Sequence, residues 1–237
     1  MKIAVMQPYL FPYIGYFQLM HAVDKFIVLD DVTYIQRGWI NRNRILINHR
    51  ASTFTVPLKK VSQRKLIKDL EIAEQEGWRE KLLKKITLAY KKSPYFNTVY
   101  PLLERIILYP SRTLVDYIGH SLLQLHGYLG LKTELVKTSR QYRNQNLKGQ
   151  ERILDICRQE NSSVYINAIG GTALYSASRF ADAGITLRFL RPRMIRYRQF
   201  GNEFIPWLSL IDVLMFNGPG QVANYLSEYE LITGEAA

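Results

Sequence analysis

Cysteine is nearly missing: the chain of 237 residues has one, Cys157. A lone thiol excludes a disulfide framework and any cysteine-based metal site, and fits a reducing, cytoplasmic setting. Cys157 lies in the apolar-periodic segment ERILDICRQ with no histidine close in sequence, so it reads as a small core residue rather than a nucleophile. Histidine is scarce too. His21, His49, His120 and His126 show no zinc-ligand spacing, and no Ser-His-Asp arrangement follows from their positions. No eighteen-residue apolar run occurs, which excludes a spanning helix. The first residues, one lysine and a short apolar run broken by Gln7-Pro8, are too short and polar for a signal peptide. Internal repeats, low-complexity tracts, a GxGxxG loop and a P-loop are all absent.

Acidic residues are the other shortage. Lys and Arg number 32 against 20 Asp and Glu, a formal net charge of +12. That balance implies an anionic partner: nucleic acid, an anionic surface or a phosphorylated substrate. Hydrophobic content of 47% with 22% charged residues excludes disorder. A chain of this length buries roughly 70% of its unfolded surface, enough for a real core.

Along the chain, Ile3 to Met6 and Phe26 to Leu29 read as strands joined by a short helix, a βαβ unit. Ligands of open α/β sheets bind outside the carboxyl ends of such strands. Gln7, Pro8 and Tyr9 follow the first strand, and Asp30, Asp31 and Tyr34 the second, so one crevice is expected between them. Arg44–Ile47 and Thr53–Val56 read as a hairpin around Asn48 to Ser52. Lys59 to Asp69 is strongly basic, a solvated face or a phosphate-facing loop. Three helices are expected over 78 to 130: Trp78 to Tyr90, Ser93 to about Tyr109, and one capped by Ser111 that Gly127 and Gly130 stop. This block reads as a helical insertion of about 78–130 in a single α/β domain of residues 1–237. Alternation then resumes with a strand at Glu134–Val136, a helix at Gln150–Gln159, a strand at Val164–Ile166, a helix at Ala173–Ala183, a strand at Ile185–Leu190 and a last helix at Ser209–Phe216. The residues after Gly234 read as frayed. The expected fold class is α/β, Rossmann-like with a mostly parallel sheet.

Two adjacent carboxylates after a buried strand, Asp30 and Asp31, are costly unless they meet a cation, a hydroxyl-rich ligand or arginines. Ligand or metal contact and internal pairing with Arg37, Arg42 or Arg44 are equally open. Arg37, Trp39, Asn41, Arg42, Asn43 and Arg44 form a run of planar polar groups suited to phosphates or a base. The tyrosines, 16 in all, include Tyr9, Tyr13, Tyr16 and Tyr34 near the crevice and could stack on bases or sugars. Ser139 after a strand is a phosphate-binding hydroxyl or a turn former. Asn167, Gly170 and Gly171 follow another strand, as an anion-binding turn or a tight one. His21, in the crossover helix, is the one histidine near the proposed crevice, although a lone helix histidine is more often structural.

The segments MQPYLFPYIGYFQL, DDVTYIQRGWINRNRIL and FIPWLSLIDVLMFNGP resemble the signature segments of the WbqC-like family of bacterial proteins, over essentially the whole chain. YINAIGGTALY is similar to the family pattern as well. The resemblance implies a link to surface-polysaccharide gene clusters, O-antigen or lipopolysaccharide biosynthesis, and transfer of an acyl or aminoacyl group to an amino sugar. The layout around Pro12-Tyr13-Ile14-Gly15-Tyr16 is also similar to the His-Ile-Gly-His nucleotidyltransferase (HUP-like) fold. Tyrosines stand at both histidine positions, so adenylyl transfer by that machinery is not expected.

These readings combine into an expectation: a cytoplasmic transferase, or amide-forming ligase, that acylates the amine of a nucleotide-activated amino sugar. Arg37, Arg42 and Arg44 would hold the diphosphate, Asp30 or Asp31 would bind sugar hydroxyls or act as base, and His21 would be a fallback base. The remaining substrate-binding candidates are Gln7, Tyr9, Tyr13, Tyr16, Tyr34, Trp39, Asn41, Asn43, Ser139, Asn167, Gly170 and Gly171. No metal is expected; ATP or an activated acyl donor is the class of co-substrate. The competing expectation is a tRNA-engaging or non-catalytic nucleotide-binding protein whose basic stretch at 59 to 92 grips RNA.

Overall fold

In the computed structural model, which describes residues 1–62, 64–74, 77–201 and 203–233, a six-stranded sheet carries the molecule. Its strands are β1 (Lys2–Met6), β2 (Lys25–Val28), β5 (Glu134–Val136), β6 (Val164–Ala168), β7 (Thr186–Pro192) and β8 (Tyr229–Thr233), in the order β5-β2-β1-β6-β7-β8. The first five in that order are parallel and β8 pairs antiparallel on β7. Numbered by chain order, the parallel strands run 3-2-1-4-5, the Rossmann order, with its switch point between β1 and β6. The expected α/β class with a mostly parallel sheet is the observed one.

Parallel strands are covered on both faces, and the residues show it. Ala4, Phe26, Val28, Ile166 and Leu190 join one hydrophobic cluster, while Ile3, Val5, Ile27, Tyr165 and Phe189 join the other. α1 (Ile14–His21) packs on the first face, where Tyr16 meets Phe26 edge-on at 5.1 Å. α5 (Gly149–Gln159) and α6 (Ala177–Asp182) cover the second, with Leu154, Ile156, Cys157 and Phe180 buried. Burial pushes the Cys157 thiol up to about 11, in keeping with a core residue.

The crossover from β2 to β5 adds to the first face the hairpin β3 (Arg42–Ile47) and β4 (Arg50–Thr55), then α2 (Trp78–Tyr90), α3 (Phe96–Ile107) and α4 (Leu114–Tyr128). The hairpin is tighter than the sequence suggests. Asn48 and His49 both adopt positive φ, the two-residue turn that matches strand twist, and Ala51 and Ser52 join β4. α2 begins and ends as expected, whereas the cap of α4 is Thr113 rather than Ser111, because the Thr113 hydroxyl accepts from the Asp116 amide. Residues 169–174 form a 3-10 turn before α6, so the expected single helix over 173–183 is two elements.

The chain end departs most from expectation. Asn217-Gly218 does stop α7 (Leu210–Phe216), but Pro219 then starts α8 (Pro219–Leu226), a position where its missing amide costs nothing. β8 follows on the sheet edge. The expected fraying after Gly234 concerns residues outside those described. Among the described residues no helix is long and apolar enough to cross a membrane.

Phe26→Ala removes the fully buried ring between β2 and α1 and should lower unfolding free energy by about 3–5 kcal/mol in urea titrations. Trp39→Ala, at a ring 43% exposed, should leave it within about 0.5 kcal/mol.

Candidate functional site

Three separate stretches of chain are hydrogen-bonded into one locus at the carboxyl end of β1. The loop after β1 enters the left-handed region at Phe11, φ 42°, an unfavourable place for a bulky residue. Its carbonyl is held there by the Asn43 amide of β3 and by the Ser209 hydroxyl at 2.8 Å. Pro12 accepts from the Leu210 amide at 2.8 Å, Arg44 accepts from the Ser209 amide at 2.9 Å, and Leu10 donates to Ile40 at 3.0 Å. Strand β3, the β1–α1 loop and the start of α7 are thereby one rigid unit.

On this unit stands a wall of aromatic rings and arginines. The guanidinium groups of Arg42 and Arg44 each lie 5.2 Å from the Trp39 ring, within cation–π range. Arg42 is braced by donating to the carbonyls of Gly38 at 2.9 Å and Arg37. Arg44 donates to the Trp207 carbonyl at 3.3 Å, and its buried Nε has no partner among the described residues. Trp207, 49% exposed, meets Tyr13 edge-on at 6.0 Å. A Cβ at position 15 would lie 2.3 Å from the Tyr13 ring, so Gly15 lets that ring fold over the start of α1. Burial raises the Tyr9 and Tyr13 phenols, so neither is a base at neutral pH. Beside Tyr13 and Trp207 a narrow slot of about 30 Å³ opens between the end of β7 (Arg193, Met194) and Phe204–Leu208.

The slot's floor hangs on Asp212, a fully buried carboxylate in α7. Tyr90 donates to one oxygen at 2.7 Å; Tyr197 at 2.7 Å and the Gln199 amide at 2.6 Å donate to the other. Gln199 also bonds both ways with Ile205, so Asp212 ties residues 197–199 to the loop at 205. Burial raises the Asp212 carboxyl, and its three hydrogen bonds offset that only in part.

The Asp30–Asp31 pair is internally paired, though not with the arginines near it in sequence. Asp30 accepts from the Thr138 hydroxyl at 2.8 and 3.0 Å and the Ser139 amide at 3.1 Å, with Arg140 Nε 3.3 Å away. Asp31 accepts from the Ser139 hydroxyl and from Arg152 of α5 at 2.6 Å. Arg42 and Arg44 are instead turned onto Trp39. Burial works to raise the Asp31 carboxyl, but hydrogen bonds from Ser139 and Arg152 and the Arg152 charge outweigh it and leave it below its ordinary value. Both donors to Asp31 go to Oδ1, while its buried Oδ2 has no partner among the described residues; through Oδ1 and Asp30 the pair joins the end of β2 to the end of β5 and to α5.

The other expected site residues divide. Tyr16, Tyr34, Asn41 and Asn43 are buried and serve the frame: Tyr16 donates to the Gln7 carbonyl at 2.9 Å, Tyr34 to Asn41 at 2.8 Å. Asn167 turns inward to the phenols of Tyr165 and Tyr175, and Gly171 is small because a Cβ would lie 2.6 Å from Asn167 Oδ1. Packing thus accounts for Gly171, whereas a Cβ at Gly170 would meet nothing within 4 Å. His21 ends α1, exposed and 3.4 Å from the Ser227 hydroxyl. The helix runs antiparallel to the strands, which places His21 at the sheet edge opposite the crevice and removes it as a base there. Trp207, Arg193, Arg140, Arg152 and Asp212 are additions. Trp207 and Asp212 lie in FIPWLSLIDVLMFNGP, where a lone acid in an apolar helix was a readable signal; nothing in the sequence marks Arg152.

Arg152→Met should cost about 3–5 kcal/mol at neutral pH by leaving Asp31 buried and unpaired. The wild-type pair contributes stability above the unfolded carboxyl range and loses it as pH falls toward the depressed folded value. The difference between wild type and variant in urea unfolding should therefore shrink below about pH 4.

Comparison with known proteins agrees with the motif placement. An uncharacterized protein of Mycobacterium tuberculosis, Rv1507c, is 28% identical over 228 residues, covering 95% of this chain and 97% of its own. No solved structure matches. The profile of the WbqC-like protein family matches residues 7–224, which include all three stretches that meet at the site, and the chain belongs to that family.

Proposed function

We propose that the chain binds a nucleotide-activated amino sugar at the tryptophan–arginine wall and transfers an acyl or aminoacyl group to its amine, a cytoplasmic step in making surface-polysaccharide precursors. The supporting observation is the wall itself: two guanidinium groups flanking an exposed indole, with a second exposed indole beside them, at the carboxyl edge of a Rossmann-ordered sheet. Arginine forks suit phosphate oxygens, and a half-exposed ring offers a base or sugar a face to stack on. In this reading Arg42 and Arg44 hold the diphosphate, Trp39 and Trp207 hold the planar group, and the slot beside Trp207 receives the acyl end of the donor. An amine that binds as its free base attacks an activated carbonyl with its own lone pair; the tetrahedral adduct then expels the activating group with the pair of the broken acyl bond, and the nitrogen gives its extra proton to that leaving group or to solvent. The chemistry then needs no carboxylate base, and the hydrogen bonds to Asp30 and to Asp31 Oδ1 are left in place.

A tRNA-engaging role draws on exposed Lys81, Lys84, Lys91 and Lys92 around α2, but Lys59 and Lys68 of the basic stretch are paired with Glu71 and Asp69. Under that reading affinity for tRNA would fall steeply with salt.

Incubation of the protein with amino-sugar nucleotides and activated acyl donors should give a product heavier by the acyl group in mass spectrometry. Arg44→Lys and Trp39→Ala should each weaken nucleotide-sugar binding about tenfold by calorimetry while leaving the thermal midpoint nearly unchanged. Binding without any acyl product across donors would sink the transferase reading; equal binding by both variants would sink the site.

A further inference from the structure

A second site lies at the other edge of the sheet. Between the α3–α4 connection, the first turns of α4 and the end of β5 runs a groove of about 360 Å³, within the range of about 300–1,000 Å³ that small-molecule sites occupy. Its cationic and imidazole groups are Arg112, His120, Lys137 and Arg140; Asp116 is the one acid lining it, and its carboxylate accepts from the hydroxyl of Thr113, the cap of α4. β5 is the far edge strand from β7, so this groove is separate from the slot beside Trp207.

His120 stacks flat on Tyr109, ring centres 3.7 Å apart and planes 6° apart, which fixes the plane of its ring. Its Nε2 is buried and has no partner among the described residues. A buried polar nitrogen without a partner is costly, and a ligand oxygen would relieve it. Gly119, one residue before, sits in the interior of α4, where glycine costs about 1 kcal/mol relative to alanine. A Cβ there would meet nothing within 4 Å, so no packing contact requires the glycine, and its absent side chain keeps the groove open.

We propose that this groove is a binding site for the phosphate of a small phosphomonoester, held by Arg112, Lys137 and Arg140 with His120 Nε2 donating to a phosphate oxygen. The groove carries three cations beside the imidazole: Lys137 has no ion pair among the described residues, while Arg112 and Arg140 pair through Nε with Glu71 at 3.6 Å and Asp30 at 3.3 Å, which leaves their terminal guanidinium nitrogens for a ligand. Burial first, then the charges of Arg105 and Lys137, hold the His120 imidazole below its ordinary value. A bound phosphate adds the opposite charge and favours the imidazolium. Binding therefore shifts the His120 titration upward, against a background of Arg105 on α3, Arg112 with its Glu71 partner and Asp116 around the start of α4, and Lys137 and the Asp30-paired Arg140 at the end of β5.

The test is an NMR titration of the His120 ring in the full chain, with inorganic phosphate and with phenyl phosphate as probes. Both should shift its titration upward, phenyl phosphate more strongly if the Tyr109 face contributes and equally if phosphate alone is read, and either result supports the site. Arg112→Ala with Lys137→Ala, at exposed positions, should weaken the response about tenfold or more. Gly119→Leu should fill the groove and abolish it without lowering the thermal midpoint. Arg44→Ala should leave it intact. An unchanged His120 titration in phosphate, full binding by the double variant, or loss of binding in Arg44→Ala would overturn the proposal.

Discussion

The carbonyl of Phe11 is the constraint on which the site depends. A bulky residue does not enter the left-handed region unless surrounding bonds over-determine it. Here one oxygen receives the Asn43 amide from a hairpin and the Ser209 hydroxyl from a helix start nearly two hundred residues away in the chain. The next carbonyl, of Pro12, receives the first amide of α7. With those bonds made, β3 cannot slide against the β1–α1 loop, and the orientations of Arg42, Arg44 and Trp39 on β3 are set relative to Tyr13 and Trp207. Preorganised groups lose little freedom when they meet a ligand, which is where affinity is gained.

The buried charges divide the labour. Asp31 keeps its charge because Arg152 and Ser139 reach it, and that pair locks α5 to the end of β2. Asp212 has three neutral donors and no cation, so burial dominates and its carboxyl moves the other way. One acid anchors one sheet face, and the other anchors the loop over the slot. The surplus of positive charge is left at the surface, on the wall by Trp39 and in the groove by His120.

Much of the fold was legible because its signals are local. The apolar runs at β1 and β2, the 3.6-residue stripe of α2 and the strand–helix alternation after Glu134 report burial periodicity, which neighbours in sequence decide. The misses were places where a local signal had two meanings. Asn217-Gly218-Pro219 ends one helix and opens the next, and Ser111 and Thr113 both suit a cap. The WbqC-like motifs were legible too, and they mark residues that meet in space.

Sequence by itself determined the fold class, the helical block, the inert core position of Cys157 and the residue types of the wall. Only the tertiary structure decided their partners. Arg37, Arg42 and Arg44 are nearest to Asp30 and Asp31 along the chain, yet Arg140 and Arg152 reach them, because parallel strands bring β2 and β5 side by side across more than a hundred residues. His21 is close to the crevice in sequence and remote in space because a crossover helix carries its last turn to the opposite edge of the sheet. Pairing of charges and the direction of a helix end are set by topology, and topology is a long-range property that local pattern does not encode.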